Sequence, residues 1–267
     1  MMTVGSLFSG IGGIDLGLER AGMQIRWQVE NDPYCNRILA KHWPDVKRYG
    51  DIRSLDWSQV ERVNLLSGGF PCQPVSQGGL QKGSSDERWM WPDFYNAICE
   101  INPDWVLAEN VPGLLSIESG QLFGSILRDL AEMGYDAEWG SLPSAAFGTH
   151  FRGERVYVIA NRSQANCLRR KGEWQNPMGS TFSRAEFERL VQREIQLCVP
   201  AGKSQRVSDG ISGRVDRLRA LGNAVIPQVA EYLGGLIVSS SRESASGKVK
   251  PDNSQSLVHE TKGRCQR

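Results

Sequence analysis

The chain of 267 residues is long enough to bury a full hydrophobic core and to hold one large domain or two unequal ones. Its 40% hydrophobic and 23% charged residues are ordinary for a folded soluble protein. No stretch approaches the roughly 18 apolar residues of a membrane span, and the opening MMTVGSLFSG lacks the basic start of an export signal; a cytoplasmic protein without membrane contact is expected.

In chain order, the first strand candidate, TVGSLF, runs into FSGIGGIDLG, and a helical pattern follows in GGIDLGLERAG. Gly10, Gly12 and Gly13 let the backbone turn tightly and approach a ligand at a helix N-terminus, although the same pattern also serves an ordinary strand-to-helix turn. The next strand, IRWQVE, ends at Glu30, where a carboxylate can accept hydrogen bonds from ribose hydroxyls. The helical stretch PYCNRILAKHW leads to GDI, whose Asp51 can take an adenine amino proton. Each acid alone is more often a helix cap or a solvated loop end. At successive strand ends they outline a pocket for an adenosine-containing cofactor.

The run VNLLSGG is followed at once by FPCQP. Pro71 and Pro74 restrict the backbone on both sides of Cys72 and remove amide donors. A cysteine so placed is better suited to attack than to fill a core, which Cys35 and Cys99 in their helices fit better. The helical pattern RWMWPDFYNAICEI precedes the strand DWVLAEN, whose end presents Glu109 to the same crevice as Cys72. A nucleophile beside a carboxyl is a catalytic pair. QLFGSILRDLAEMG is again helical and VYVIA again a strand.

This alternation predicts an α/β fold, a Rossmann-like, mostly parallel sheet flanked by helices, over residues 1–160. Residues 161–213 break the pattern with basic clusters, scattered aromatics and interrupting Pro and Gly. Helical order returns in RVDRLRALGNAVIPQVAEYLGGLIV, so residues 214–238 are expected to rejoin the first domain, and the polar stretch 239–267 is expected to be a disordered tail. The six cysteines lie far apart with no CxxC, and none neighbours one of the three histidines. Neither a disulfide framework nor a metal site is expected. The net charge of +1 conceals an asymmetry: the first 160 residues carry 13 Lys/Arg against 20 Asp/Glu, the remainder 18 against 10. A basic second part on an acidic first part suggests a polyanion gripped on one side.

FSGIGG, the glutamate of VENDPY, the aspartate of GDI, GFPCQP with Ser76, ENV, ERVYVIA and RALGNAVIPQVA, in that order over nearly all of residues 4–238, make the chain resemble the DNA cytosine-5 methyltransferases. The resemblance implies a class I methyltransferase fold, S-adenosyl-L-methionine as cofactor and double-stranded DNA as substrate, with residues 161–213 as a short target-recognition region inserted before the last helix. It implies that Phe8 packs on the adenine, that Gly10, Gly12 and Gly13 shape the loop beside the methionine part, and that Glu30, with Asn31 next to it, holds the ribose. Asp51 and Ile52 would read the adenine edge, and Asn223 and Val225 would close the pocket from the far end of the chain. Pro71, beside the cofactor, would join Cys72 and Glu109 in the reaction centre, and Arg155 would meet the carbonyl edge of the cytosine. Gln73, Ser76 and Arg88 would belong to a catalytic loop that shuts over the DNA, while Arg152, Arg169, Arg170 and Lys171 would contact it. A monomer suits a single-base reaction, and a restriction endonuclease acting on the same site is a possible companion.

The chain departs from the family where a Gln-x-Arg-x-Arg frame is usual. Here it reads FRGER, with Phe151 for the glutamine and Gly153 for the first arginine, leaving Arg152 or His150 as the nearest replacement. Two alternatives use the same residues: a catalytically impaired DNA-binding homologue, which would ordinarily have lost Cys72 or Glu109, and an RNA cytosine-5 methyltransferase on the same fold. A nicotinamide-dependent enzyme would account for the glycines and Glu30 but not for PCQP with ENV.

Overall fold

The computed structural model describes residues 1–71, 89–148, 153–162 and 224–246. Seven strands form one sheet in the order β3-β2-β1-β4-β5-β7-β6: β1 Thr3–Leu7, β2 Gln24–Val29, β3 Lys47–Tyr49, β4 Leu65–Gly69, β5 Trp105–Asn110, β6 Asp136–Pro143 and β7 Glu154–Asn161. The first five are parallel to one another. β7 lies antiparallel to β5 and pairs with β6 in the same sense. The mixed seven-stranded sheet with helices on both faces is the Rossmann-like architecture expected. Its two ends differ from the strand candidates. β3 has three residues, and β6 is an outer strand with mostly exposed or half-buried side chains, so neither carries the apolar alternation by which a strand is recognised.

The helices are α1 Gly13–Arg20, α2 Pro33–His42, α3 Trp91–Ile101, α4 Gln121–Glu132 and α5 Pro227–Ser246. Local sequence starts α2 cleanly: Asp32 accepts hydrogen bonds from the amides of Tyr34 and Cys35, and Pro33 at the first helical position sacrifices no bonded N–H. On one face of the sheet, Val4, Ile25, Leu65 and Leu107 meet Ile14 and Leu18 of α1 and Val229, Ala230, Leu233 and Ile237 of α5. On the other, Leu7, Leu66, Val106 and Ala108 meet Phe94, Ala97 and Ile98 of α3 and Ile126 and Leu130 of α4. Continuous apolar runs such as LLSGG and WVLAEN are what strands covered on both sides require.

The last helix packs on the sheet beside α1 and extends beyond Val238 to Ser246. That corrects the reading of a disordered tail from residue 239. Seryl side chains hid the helix from a periodicity test, and two of them satisfy themselves within it: the Ser239 and Ser241 hydroxyls donate to the carbonyls of Gly235 and Ile237 one turn back.

Candidate active site

The carboxyl ends of the parallel strands hold an open cleft of about 220 Å³. Phe8, Val29, Glu30, Asn31, Gly50, Asp51, Ile52, Arg53, Pro71 and Met90 line it. Six of the residues expected at a cofactor therefore share one wall-to-wall space: Phe8, Glu30, Asn31, Asp51, Ile52 and Pro71. The loop after β1 bends through left-handed conformations at Phe8, Gly10 and Gly12. Glu30 is held against that loop. Its two carboxylate oxygens accept from the amides of Gly10 and Asp32, each at 2.7 Å, leaving further lone pairs on a fixed group.

Gly13 opens α1 directly under Val225. A Cβ built on Gly13 would stand 2.2 Å from the Val225 carbonyl oxygen, so only glycine permits the residue just before α5 to pack against the loop. Val225 is buried there, which packs this later part of the chain against the loop that opens α1. Asp51, just after β3, caps the short turn Ile52–Ser54 through the Arg53 amide at 3.0 Å. Its carboxylate also pairs with the Arg53 guanidinium at 2.6 and 3.0 Å, and this donor keeps it below the usual carboxylate range. Sequence reasoning passed over Arg53, although its place two residues after the acid in GDIR was the available signal.

Next to the cleft, β4 and β5 end side by side, with Gly69 opposite Glu109. Glu109 is buried, and Arg155 on the antiparallel strand β7 reaches its Oε1 with Nε at 3.0 Å. Burial pushes the Glu109 carboxyl up to about 7, against the opposing pull of the Arg155 charge. The group thus carries a proton for much of the time near neutral pH while remaining oriented. Gly69 leaves it room: a Cβ there would lie 2.4 Å from Glu109 Oε2. Asn110 then ties the two strand ends together by donating from Nδ2 to the Phe70 carbonyl at 3.1 Å, one residue before Pro71.

A second buried acid, Asp15, was not anticipated. It is fully enclosed, accepts from Ser6 Oγ and Gln28 Nε2 at 2.6 Å each, and is pushed up to about 6 by that burial. Ser9 donates to Ser6 Oγ at 2.9 Å, so the network joins α1, β1 and β2 to the loop carrying Phe8 and Gly10. The only advance sign was an acid inside the apolar stripe of IDLGL.

Cys72, Gln73, Ser76, Arg88, Arg152, Arg169, Arg170, Lys171 and Asn223 lie outside the described residues, as does most of the expected target-recognition region. Among the described residues no cluster of three or more His, Cys, Asp or Glu could hold a metal ion, and no helix is long and apolar enough to cross a membrane.

Comparison with known proteins matches residues 2–197 to the model of the C-5 cytosine-specific DNA methylase family. Among individual relatives, the chain is 33% identical over 168 residues to the Type II methyltransferase M2.BsuMI of Bacillus subtilis, covering 60% of this chain and 42% of that protein. It is 36% identical over 157 residues to the Type II methyltransferase M.NgoBI of Neisseria gonorrhoeae, covering 57% and 48%. The chain thus spans about half the length of these relatives. In fold it is similar to the Entamoeba histolytica methyltransferase EhMeth (TM-score 0.61, 17% identity, 90% of this chain and 98% of that one) and to the S. pombe Dnmt2 methyltransferase (TM-score 0.59, 18% identity, 90% and 99%).

Proposed function

Because the chain belongs to the C-5 cytosine-specific DNA methylase family, we propose that it transfers a methyl group from S-adenosyl-L-methionine to C5 of a cytosine flipped out of double-stranded DNA, through a transient bond from Cys72 to C6. The observation that carries this reading is the buried Glu109–Arg155 pair at the end of β5, beside a cleft that collects Phe8, Glu30 and Asp51.

The cleft residues fit the cofactor's chemistry. Phe8 offers a ring face to the adenine, Asp51 an acceptor to its amino group, Ile52 an apolar edge, and Glu30 lone pairs to the ribose hydroxyls. Asn31 lies beside the ribose, while Gly10, Gly12 and Gly13, closed over by Asn223 and Val225, leave space for the methionine part. When bound there, the cofactor supplies an electrophilic methyl group.

The remaining roles fall to the chain's own residues. Cytosine C5 is a poor nucleophile until the Cys72 thiolate adds to C6 and drives electron density toward it. Glu109, carrying a proton near neutral pH, donates to N3 and offsets the charge that develops on the ring. Arg155 holds Glu109 with Nε, and its assigned partner on the substrate is the carbonyl edge of the base. Pro71 fixes the backbone that presents Cys72. Loss of the C5 proton then expels the thiolate and restores the aromatic ring. Thymine, with a hydrogen on N3 and no amino group on C4, would meet this acid donor to donor.

Flipping the base costs a few kcal/mol, to be offset by contacts from Gln73, Ser76 and Arg88 in the loop after Cys72 and from Arg152, Arg169, Arg170 and Lys171 in the basic second part. The relatives' designation as Type II methyltransferases supports a partnership with a restriction endonuclease of the same site, and one chain acting on one base supports a monomer. Incubation with labelled S-adenosyl-L-methionine and unmethylated DNA, followed by base-resolution mapping, is expected to show 5-methylcytosine within one short sequence context. Label appearing on adenine, on cytosine N4 or on RNA alone would overturn the reading.

A further inference from the structure

The reading above leaves Arg53 without a task, although it lines the cleft beside Asp51. Its guanidinium is committed to that acid: Nη2 lies 2.6 Å from Oδ2, and Nε lies 3.0 and 3.2 Å from the two oxygens. With the Arg53 amide also at 3.0 Å, Oδ1 takes two full-strength donors, whereas Oδ2 takes Nη2 at 2.6 Å and only the longer 3.2 Å contact from Nε, which makes Oδ2 the better placed of the two to accept a further donor. A second acid, Asp93 in the first turn of α3, adds a weaker attraction on the Arg53 charge. Arg53 is 59% exposed, and an ion pair so open to water contributes little to folding. Its effect therefore belongs to the geometry of Asp51.

We propose that Arg53 is a positioning residue that acts through Asp51, fixing which carboxylate oxygen faces the adenine edge and thereby setting the preference for a base bearing an amino group over one bearing a carbonyl. The inference rests on the assignment of Asp51 to the adenine amino group. An unrestrained aspartate at an exposed strand end rotates among several rotamers, and each rotation loses the aligned acceptor. A forked guanidinium with a backbone amide behind it leaves one orientation.

The test is calorimetric binding of S-adenosylhomocysteine and of its deaminated inosine counterpart to the full chain, compared across the wild type and the variants R53Q, R53K and D51N. Wild type is expected to prefer the adenosyl ligand. In R53Q that preference should shrink by about tenfold, the worth of one well-aligned hydrogen bond to a charged group, through weaker adenosyl binding and with an unchanged melting temperature. R53K, which keeps the charge but not the fork, should fall between. An R53Q protein with wild-type preference, or one that binds the adenosyl ligand more tightly, would show that Arg53 is a bystander or a competitor for Asp51. A D51N protein that keeps the wild-type preference would remove Asp51 from the adenine edge, and this inference with it. Loss of preference in D51N but not in R53Q would sink the Arg53 role alone.

Discussion

Glu109 sits where two forces oppose each other, since burial disfavours its charge and Arg155 favours it, and burial wins. The folded carboxyl holds its proton up to about pH 7, against an ordinary value of 4.5. Between those values the folded chain binds a proton that the unfolded chain has released, so Glu109 lowers stability as pH rises through that window and no further above it. The slope approaches about 1.4 kcal/mol per pH unit at most. Urea unfolding from pH 4.5 to 8 should show a steeper loss of stability in wild type than in Glu109→Gln, which keeps the contribution of Asp15 in the lower part of that window but loses that of Glu109. The same substitution removes the acid proposed to donate to N3, and a loss of about 10²- to 10⁴-fold in methyl transfer is expected, with cofactor affinity retained. Asp15 makes a separate residue-scale prediction. Asp15→Ala leaves Ser6 and Gln28 without their buried acceptor, a loss of about 1–3 kcal/mol per group. Asp15→Asn should cost less, because with the Gln28 amide turned over its Nδ2 can donate to Gln28 Oε1, which has no hydrogen-bond partner among the described residues, while its Oδ1 still accepts from Ser6.

At the scale of elements, the site depends on α5 being laid against α1. Gly13→Ala would drive a methyl group into the Val225 backbone, and Gly17 meets Pro227 and Ala230 in the same way one turn on. Because backbone rather than a flexible side chain must yield, we expect Gly13→Ala to cost about 1–3 kcal/mol and to weaken cofactor binding in the same protein. Thermal melts with and without S-adenosylhomocysteine would measure both. The elements that frame the cleft were legible in the sequence because each buries a continuous apolar run and ends in a conspicuous acid or glycine. β3 and β6 were not, since an outer strand with an exposed face has no such run. The antiparallel turn of β7, which lets Arg155 face Glu109, was equally unreadable: VYVIA looks the same in either direction. Asp15 and Arg53 remained hidden because their significance lies in partners: Gln28 is 13 residues from Asp15, and Arg53 gains meaning only from the cleft wall it shares.

For the whole molecule, the first 160 residues are acidic and the remainder basic, and the proposed function would give catalysis to the first part and the grip on DNA to the second. Deleting residues 165–205 should abolish DNA binding while leaving S-adenosylhomocysteine affinity within about twofold. DNA affinity of the intact chain should fall steeply with salt as displaced counterions return to the phosphates. The claim on which everything else depends is the bond from Cys72 to the base. DNA carrying 5-fluorocytosine at the mapped site cannot release a proton from C5, so methyl transfer should stop with protein and DNA joined. Mass spectrometry of the digested complex should locate the nucleotide on the Cys72 peptide in wild type and find no adduct in Cys72→Ser. Active enzyme that methylates ordinary DNA yet yields no adduct, or an adduct on any other residue, would contradict the account.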